Sequence, residues 1–178
     1  MKKKILAFGA SNSKNSINIK FANFTASQIK DAEINLIDIN DFEMPIFSVD
    51  REKKSGIPKL AHNFIGQIVD SDGVIISFAE HNANYTVAFK NISDWVSRID
   101  LKTWQNKPTL LLAASPGSRG AKSVLDLALN DFPRRGANVV GHFSLPNFNS
   151  NFSEKDGILD EAINKDFKEK LNQFALHL

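Results

Sequence analysis

The chain has 178 residues, 42% of them hydrophobic and 24% charged, which is enough for one domain with a full core over residues 1–178. Its formal charge is +2, and apart from Lys2–Lys4 and the Lys53–Lys54 pair the lysines are scattered, so no basic stripe points to a nucleic-acid partner. The absence of cysteine excludes disulfides, thiolate metal sites and a cysteine nucleophile, and fits a reducing compartment, with the cytoplasm expected.

The first predicted element is a buried strand, Ile5-Leu6-Ala7-Phe8, preceded by lysines and too short for a signal-peptide core. No later run approaches the length of a membrane span, so neither export nor membrane insertion is expected. The strand runs into a hydroxyl-rich loop, Ser11 to Ser16. From Ile17 the apolar residues Ile17, Phe21, Phe24, Ala26 and Ile29 fall at near-helical spacing. The loop therefore joins a strand's carboxyl end to a helix's amino end. The first N–H groups of a helix lack intrahelical partners and carry the positive end of its dipole, so an anion is at home there. Ser11, Ser13, Ser16 and Asn18 add polar side chains and Lys14 adds charge, a set that suits a phosphate monoester. The plainer alternative is that Ser16 only caps the helix.

Further strands are predicted at Ile34–Ile39, Gly73–Phe78, Thr109–Ala114 and Ala137–Phe143. Helices are predicted at Ile57–Ser71, Thr86–Ile99, Ala121–Arg135 and Ile158–Leu176. Such alternation implies an α/β fold: a parallel sheet with helices on both faces, joined by right-handed crossovers. Five strands suit the flavodoxin-like order 2-1-3-4-5, a three-layer sandwich whose ligands bind outside the carboxyl ends of the strands at the switch between strands 1 and 3. Three loops should meet there: Ser11–Ser16, Ala79–Tyr85 and Ser115–Gly120. Pro146–Asp156, rich in Asn, Phe and Ser, reads as a surface loop that Phe148 and Phe152 anchor to the body or to a partner subunit.

The segment after strand 3 reads Ala79-Glu80-His81-Asn82, followed by a helix carrying Lys90, Asn91, Asp94 and Trp95. It resembles the Pro-Glu-Tyr-Asn loop and Leu-Lys-Asn-Ala-Ile-Asp-Trp helix of the NAD(P)H-dependent FMN reductases, the flavodoxin-like family of bacterial quinone, azo-dye and chromate reductases. Ala10–Asn18 is similar to that family's Gly-Ser-Leu-Arg-Lys-x-Ser-x-Asn, Ser115–Gly120 to its Ser-Pro-Gly-x-x-Gly, and Met44-Pro45-Ile46-Phe47 to its Leu-Pro-Leu-Tyr.

The resemblance implies non-covalent FMN, with its phosphate on Ser11, Ser13, Ser16, Ile17 and Asn18. Its ring would lie between Ala79, Glu80, His81 and Asn82 on one side and Ser115, Pro116 and Gly117 on the other, with Ser118 and Gly120 completing the Ser115–Gly120 loop. It further implies NADPH or NADH as reductant, a small-molecule electron acceptor such as a quinone, a flavin or an azo compound, and a homodimer or homotetramer. No catalytic acid or base is assigned, because the flavin carries the chemistry. Glu80 is read either as a flavin contact or as a structural residue.

Three positions depart from the family pattern. Ser13 replaces an arginine, removing a planar, bidentate cation and leaving the choice between NADH and NADPH open. Ala79 replaces a proline, and His81 replaces a tyrosine with a smaller stacking surface. Two other functions keep a place beside the reductase: a flavodoxin-type electron carrier with no nicotinamide site, and a flavin-free binding module. Carriers of that type are usually strongly acidic, and this chain is slightly basic.

Overall fold

The computed structural model describes residues 2–178. Its centre is a five-stranded parallel sheet made of β1 (Lys3–Ala10), β2 (Ala32–Leu36), β3 (Gly73–Phe78), β4 (Pro108–Ala114) and β5 (Asn138–Leu145), in the order β2-β1-β3-β4-β5. This is the flavodoxin-like order expected from the alternation of elements. Ile5 of β1 lies beside both Ile34 of β2 and Gly73 of β3, so β1 is where the winding of the chain reverses.

All six residues of β3 are buried, as are the last six of β1 and of β4, which is why these strands read as continuous apolar runs. Alternate residues nevertheless serve different cores. Ile5, Ala7, Ile75, Leu110 and Leu112 face a layer formed by α1 (Ile17–Ser27) and α7 (Glu161–Leu176). Leu6, Phe8, Ile76, Phe78, Leu111 and Ala113 face α3 (Lys59–Val69), α4 (Val87–Val96) and α5 (Lys122–Asp131). Phenylalanines fill both layers. Phe21 of α1 meets Phe143, Phe148, Phe152 and Phe167, while Phe78 meets Phe89 and Phe132 at ring separations of 5.6 and 5.5 Å.

Several expected boundaries shift: the helices expected at Ile57–Ser71 and Thr86–Ile99 are shorter at both ends, and the one expected at Ala121–Arg135 stops at Asp131, where Pro133 begins a 3₁₀ turn, Pro133–Arg135. Strand β2 ends at Leu36 because Asp38 accepts from Asn40 N at 2.9 Å and turns the chain into a 3₁₀ segment, Ile39–Phe42. A short helix that periodicity does not reveal, α2 (Val49–Ser55), is capped by Ser48 and buries no side chain. Strand β5 continues to Leu145, because Ser144 and Leu145 pair with Ala113 and Ala114. The stretch after β5 is more ordered than a surface loop. It forms a helical turn, α6 (Phe148–Asn151), and a two-rung hairpin of β6 (Phe152–Ser153) with β7 (Gly157–Ile158), and α7 starts only after Asp160 caps Ile163 N. Phe148 and Phe152 do anchor the stretch, against Phe21 and Phe24 of the same chain. No helix among the described residues is long and apolar enough to cross a membrane.

Candidate functional site

The three predicted loops meet at the carboxyl ends of β1, β3 and β4 around a cleft of about 340 Å³, and Gly9 sets the floor. A side chain there would run into Ile19 N, and its Cβ would stand 2.7 Å from Ile19 Cγ1, so only glycine lets α1 sit this close to β1. The loop above it is folded by its own serines. Ser11 Oγ accepts from Ser13 N at 3.2 Å, Ser13 O accepts from Ser16 N at 3.0 Å, and Ser16 Oγ caps Asn18 N at 3.2 Å. The plain reading of Ser16 as a helix cap is thus part of the answer. The N–H of Ile17 has no partner among the described residues, and the first turn of α1 holds no acidic side chain. The helix dipole is left unneutralised where it faces the cleft.

Asn18 does something the sequence did not suggest. Its buried amide donates to Ala114 O at 3.2 Å, and its Oδ1 accepts from Ala114 N at 3.0 Å and from Ser77 Oγ at 2.7 Å. It ties β1's helix to the ends of β3 and β4, and its side chain is an element of the frame.

The second loop is a miniature hairpin. His81 and Asn84 exchange backbone hydrogen bonds of 3.0 and 3.1 Å around Asn82 and Ala83, both at positive φ (53° and 60°), the signature of a type I′ turn. Thr86 fastens it to β1 by donating to Ala10 O at 3.0 Å while capping α4 through Phe89 N. Glu80 is half-buried and its Oε2 accepts from Val124 N in α5 at 3.0 Å, while its own N–H has no partner among the described residues.

The third loop packs against the segment after β5. Ser115 O accepts from Phe148 N and Gly117 O accepts from Asn147 N, both at 3.0 Å. Gly120, at φ +60°, presses its Cα against Ser144 and Pro146, where any Cβ would meet Ser144 Oγ and lie 3.0 Å from Pro146 N.

The cleft brings together Ser11, Ser13, Ser16, Ile17 and Asn18 with Ala79, Glu80, His81, Ser115 and Pro116, and adds Asn15 and Ala114. Four predicted residues lie off it: Asn82 is at the tip of the hairpin, Gly117 and Ser118 are on the exposed outer side of their loop, and Gly120 is buried behind it.

Across His81 lies a second cleft of about 270 Å³, which sequence reasoning missed. Ile39, Phe42, Met44, Ile46, Val87 and Ile92 give it apolar walls, with Asn12, Glu43 and Asn91 among its polar groups. The Met44–Phe47 loop that forms one wall is held by the helix after the hairpin. Asn91 donates to Met44 O and accepts from Phe47 N, both at 2.9 Å, and Trp95 Nε1 donates to Pro45 O at 2.7 Å. Lys90 and Asp94 form an i,i+4 ion pair on the same helix, so all four helix residues that carried the resemblance have structural contacts.

The donor set fits FMN. An unneutralised helix terminus with two buried serine hydroxyls suits a phosphate, and the small residues Ala79 and Ala114 with Pro116 leave a slot for a flat ring. Comparison with known proteins agrees. Residues 3–150 match the family model for NADPH-dependent FMN reductase. An uncharacterized protein of Mycoplasma pneumoniae is 30% identical over 166 residues, covering 90% of this chain and 97% of the relative. A 2-hydroxy-1,4-benzoquinone reductase of a Burkholderia species is 30% identical over 132 residues, covering 67% of this chain and 70% of the relative. The flavoenzyme NAD(P)H:(acceptor) oxidoreductase FerB of Paracoccus denitrificans has the same fold, with a TM-score of 0.76 at 23% identity, covering 97% and 95% of the two chains. The chain belongs to the NADPH-dependent FMN reductase family and is, as a member of it, an oxidoreductase that uses FMN with a reduced nicotinamide.

Proposed function

We propose that the larger cleft holds FMN non-covalently and that the protein is an NAD(P)H-dependent reductase of quinones, flavins, azo compounds or similar flat acceptors. The observation that carries this reading is the open amino terminus of α1, set among serines and facing a slot walled by two loops. Ser11, Ser16 and the Ile17 N–H would hold the phosphate. The Glu80 N–H is a donor for the polar edge of the ring, where reduction places negative charge. When bound, FMN supplies the redox chemistry, accepting hydride from the nicotinamide and passing electrons to the acceptor. The chain contributes binding and orientation.

The apolar second cleft, reached past His81, supports a flat acceptor. Its one charged lining residue is Glu43, which disfavours anionic acceptors there. The quinone reductases among the relatives support a small-molecule acceptor. Exposed Ile46 and Val87 at the rim of the second cleft support a homodimer or homotetramer with this face covered. The lack of cysteine supports a cytoplasmic location.

The test is a visible absorption spectrum after FMN is added and the excess removed, followed by anaerobic NADPH and then NADH. Retained flavin bands that bleach within seconds of nucleotide addition are expected. Retained flavin that neither nucleotide reduces would instead assign an electron carrier, and no retained flavin would overturn the site.

A further inference from the structure

Helix α5 does not cap itself. It follows Ala121, which sits in the left-handed region (φ 57°, ψ 38°) with no side chain able to accept, and its first turn holds no acidic residue. The open donor at Val124 N is met from Glu80, on the loop after β3, at 3.0 Å. A carboxylate is the strongest partner for that position, because it satisfies an orphan N–H and opposes the positive end of the helix dipole.

The bond joins the two walls behind the cleft, where Val124 is fully buried. Glu80 stands between Ala79 and His81 on one wall, and α5 is the continuation of the Ser115–Gly120 loop that forms the other. The rest of the hairpin bonds to itself and, through Thr86, to β1. Among the described residues, Glu80 to Val124 is the only hydrogen bond between the 79–85 loop and the 115–124 segment. Of the two roles the sequence left open for Glu80, its side chain takes the structural one, in a specific form.

We propose that Glu80 is a positioning residue for the flavin slot, whose carboxylate fixes the spacing of the two walls by capping α5. The proposal rests on the FMN reading of the cleft. The Glu80 carboxylate acts through α5 and touches neither phosphate, ring nor acceptor; only the backbone N–H of the residue faces the ring.

Three variants separate this role from direct contact. Glu80→Gln keeps an oxygen acceptor and loses the charge, Glu80→Ala loses both, and Glu80→Asp keeps the charge on a stem one methylene shorter. Two quantities are read: amide hydrogen exchange of Val124 in the FMN-free protein, and the FMN dissociation constant from flavin fluorescence. Glu80→Ala and Glu80→Asp are expected to speed Val124 exchange and weaken FMN binding by about tenfold each, the scale of a lost helix cap. Glu80→Gln is expected to stay within about threefold of the parent protein in both.

Equal weakening of FMN by Glu80→Gln and Glu80→Ala, with Val124 exchange unchanged, would overturn the proposal in favour of a direct charge effect on the flavin. Unchanged binding and exchange in Glu80→Ala would overturn it as well. If Glu80→Ala does not fold, the Gln and Asp pair gives the same contrast. If the parent protein binds no FMN, the flavin reading falls by itself, while Val124 exchange in the FMN-free variants still decides whether Glu80 clamps α5.

Discussion

The side chain of Asn18 pairs with the backbone of Ala114 as a neighbouring strand would, donating to its carbonyl at 3.2 Å and accepting from its N–H at 3.0 Å. The register of β3 with β4 ends at Phe78 and Ala113, so Ala114 has no strand partner on that side, and an amide side chain from α1 supplies one. Asn18→Ala strands the buried Ala114 groups and the Ser77 hydroxyl. A loss of about 2–4 kcal/mol in urea unfolding is expected, because each buried polar group left unpaired costs on the order of 1–3 kcal/mol.

Tyr85 is the chain's only tyrosine, buried at 7% exposure with its hydroxyl unpartnered among the described residues. Burial, reinforced by the nearby Asp131 and opposed by Arg135, holds its pKa well above the ordinary value of 10.0. The neutral form is favoured in the folded state, so this group's contribution is fully present below pH 10.0 and is lost as pH rises through the higher folded value. Tyrosinate absorbance should therefore appear only as the protein unfolds in alkali, at one wavelength for one residue. Tyr85→Phe should remove that part of the alkaline destabilisation and leave neutral-pH stability equal or about 1 kcal/mol higher, since it deletes an unsatisfied polar atom.

Ala83 holds a left-handed conformation, φ +60°, on an exposed turn. A residue with a Cβ is strained there by roughly 1–2 kcal/mol, and glycine is not. Ala83→Gly is expected to raise the thermal midpoint by a few degrees, net of the greater freedom glycine gives the unfolded chain. FMN affinity should change little, because the turn's tip lies off the cleft.

Gly120→Ala meets both difficulties at once, a positive φ and a Cβ driven into Ser144 Oγ. The expected loss is about 2–4 kcal/mol of stability, within the range of overpacked or strained sites. In variant protein that remains folded, FMN binding should weaken, because the loop cannot keep its seat on the segment after β5. Calorimetry and a flavin titration check the two halves separately.

The sheet order and the two helical layers were legible because β1, β3 and β4 are long apolar runs between helices of clear period. Helix α2 was not, because seven residues with no buried side chain carry no apolar stripe, and only Ser48 marks its start. The two-rung hairpin after β5 hid in an Asn- and Phe-rich stretch whose order comes from packing on Phe21 and Phe24, contacts that sequence spacing does not reveal.

In the site, the serines of the first loop could be placed because a strand end, a hydroxyl cluster and a helix start are each local signals. The roles of Asn18 and Glu80 could not. Each bonds to main chain 96 or 44 residues away, and a polar side chain that serves a distant backbone looks in sequence like one that serves a ligand. Gly120 shows the same ambiguity from the other side, since a glycine in a binding motif turned out to face the protein rather than the cleft.

The missing side chain at Gly9 works as a ruler. With nothing between the strand and the backbone of Asn18 and Ile19, the first turn of the first helix rests directly on the strand at this point. The serines at the start of that helix inherit this placement. A methyl group at position 9 would push the start of that helix away from the strand, while the other two loops, anchored elsewhere, stayed where they are. The chain thus stores one dimension of its cleft in an atom it does not have.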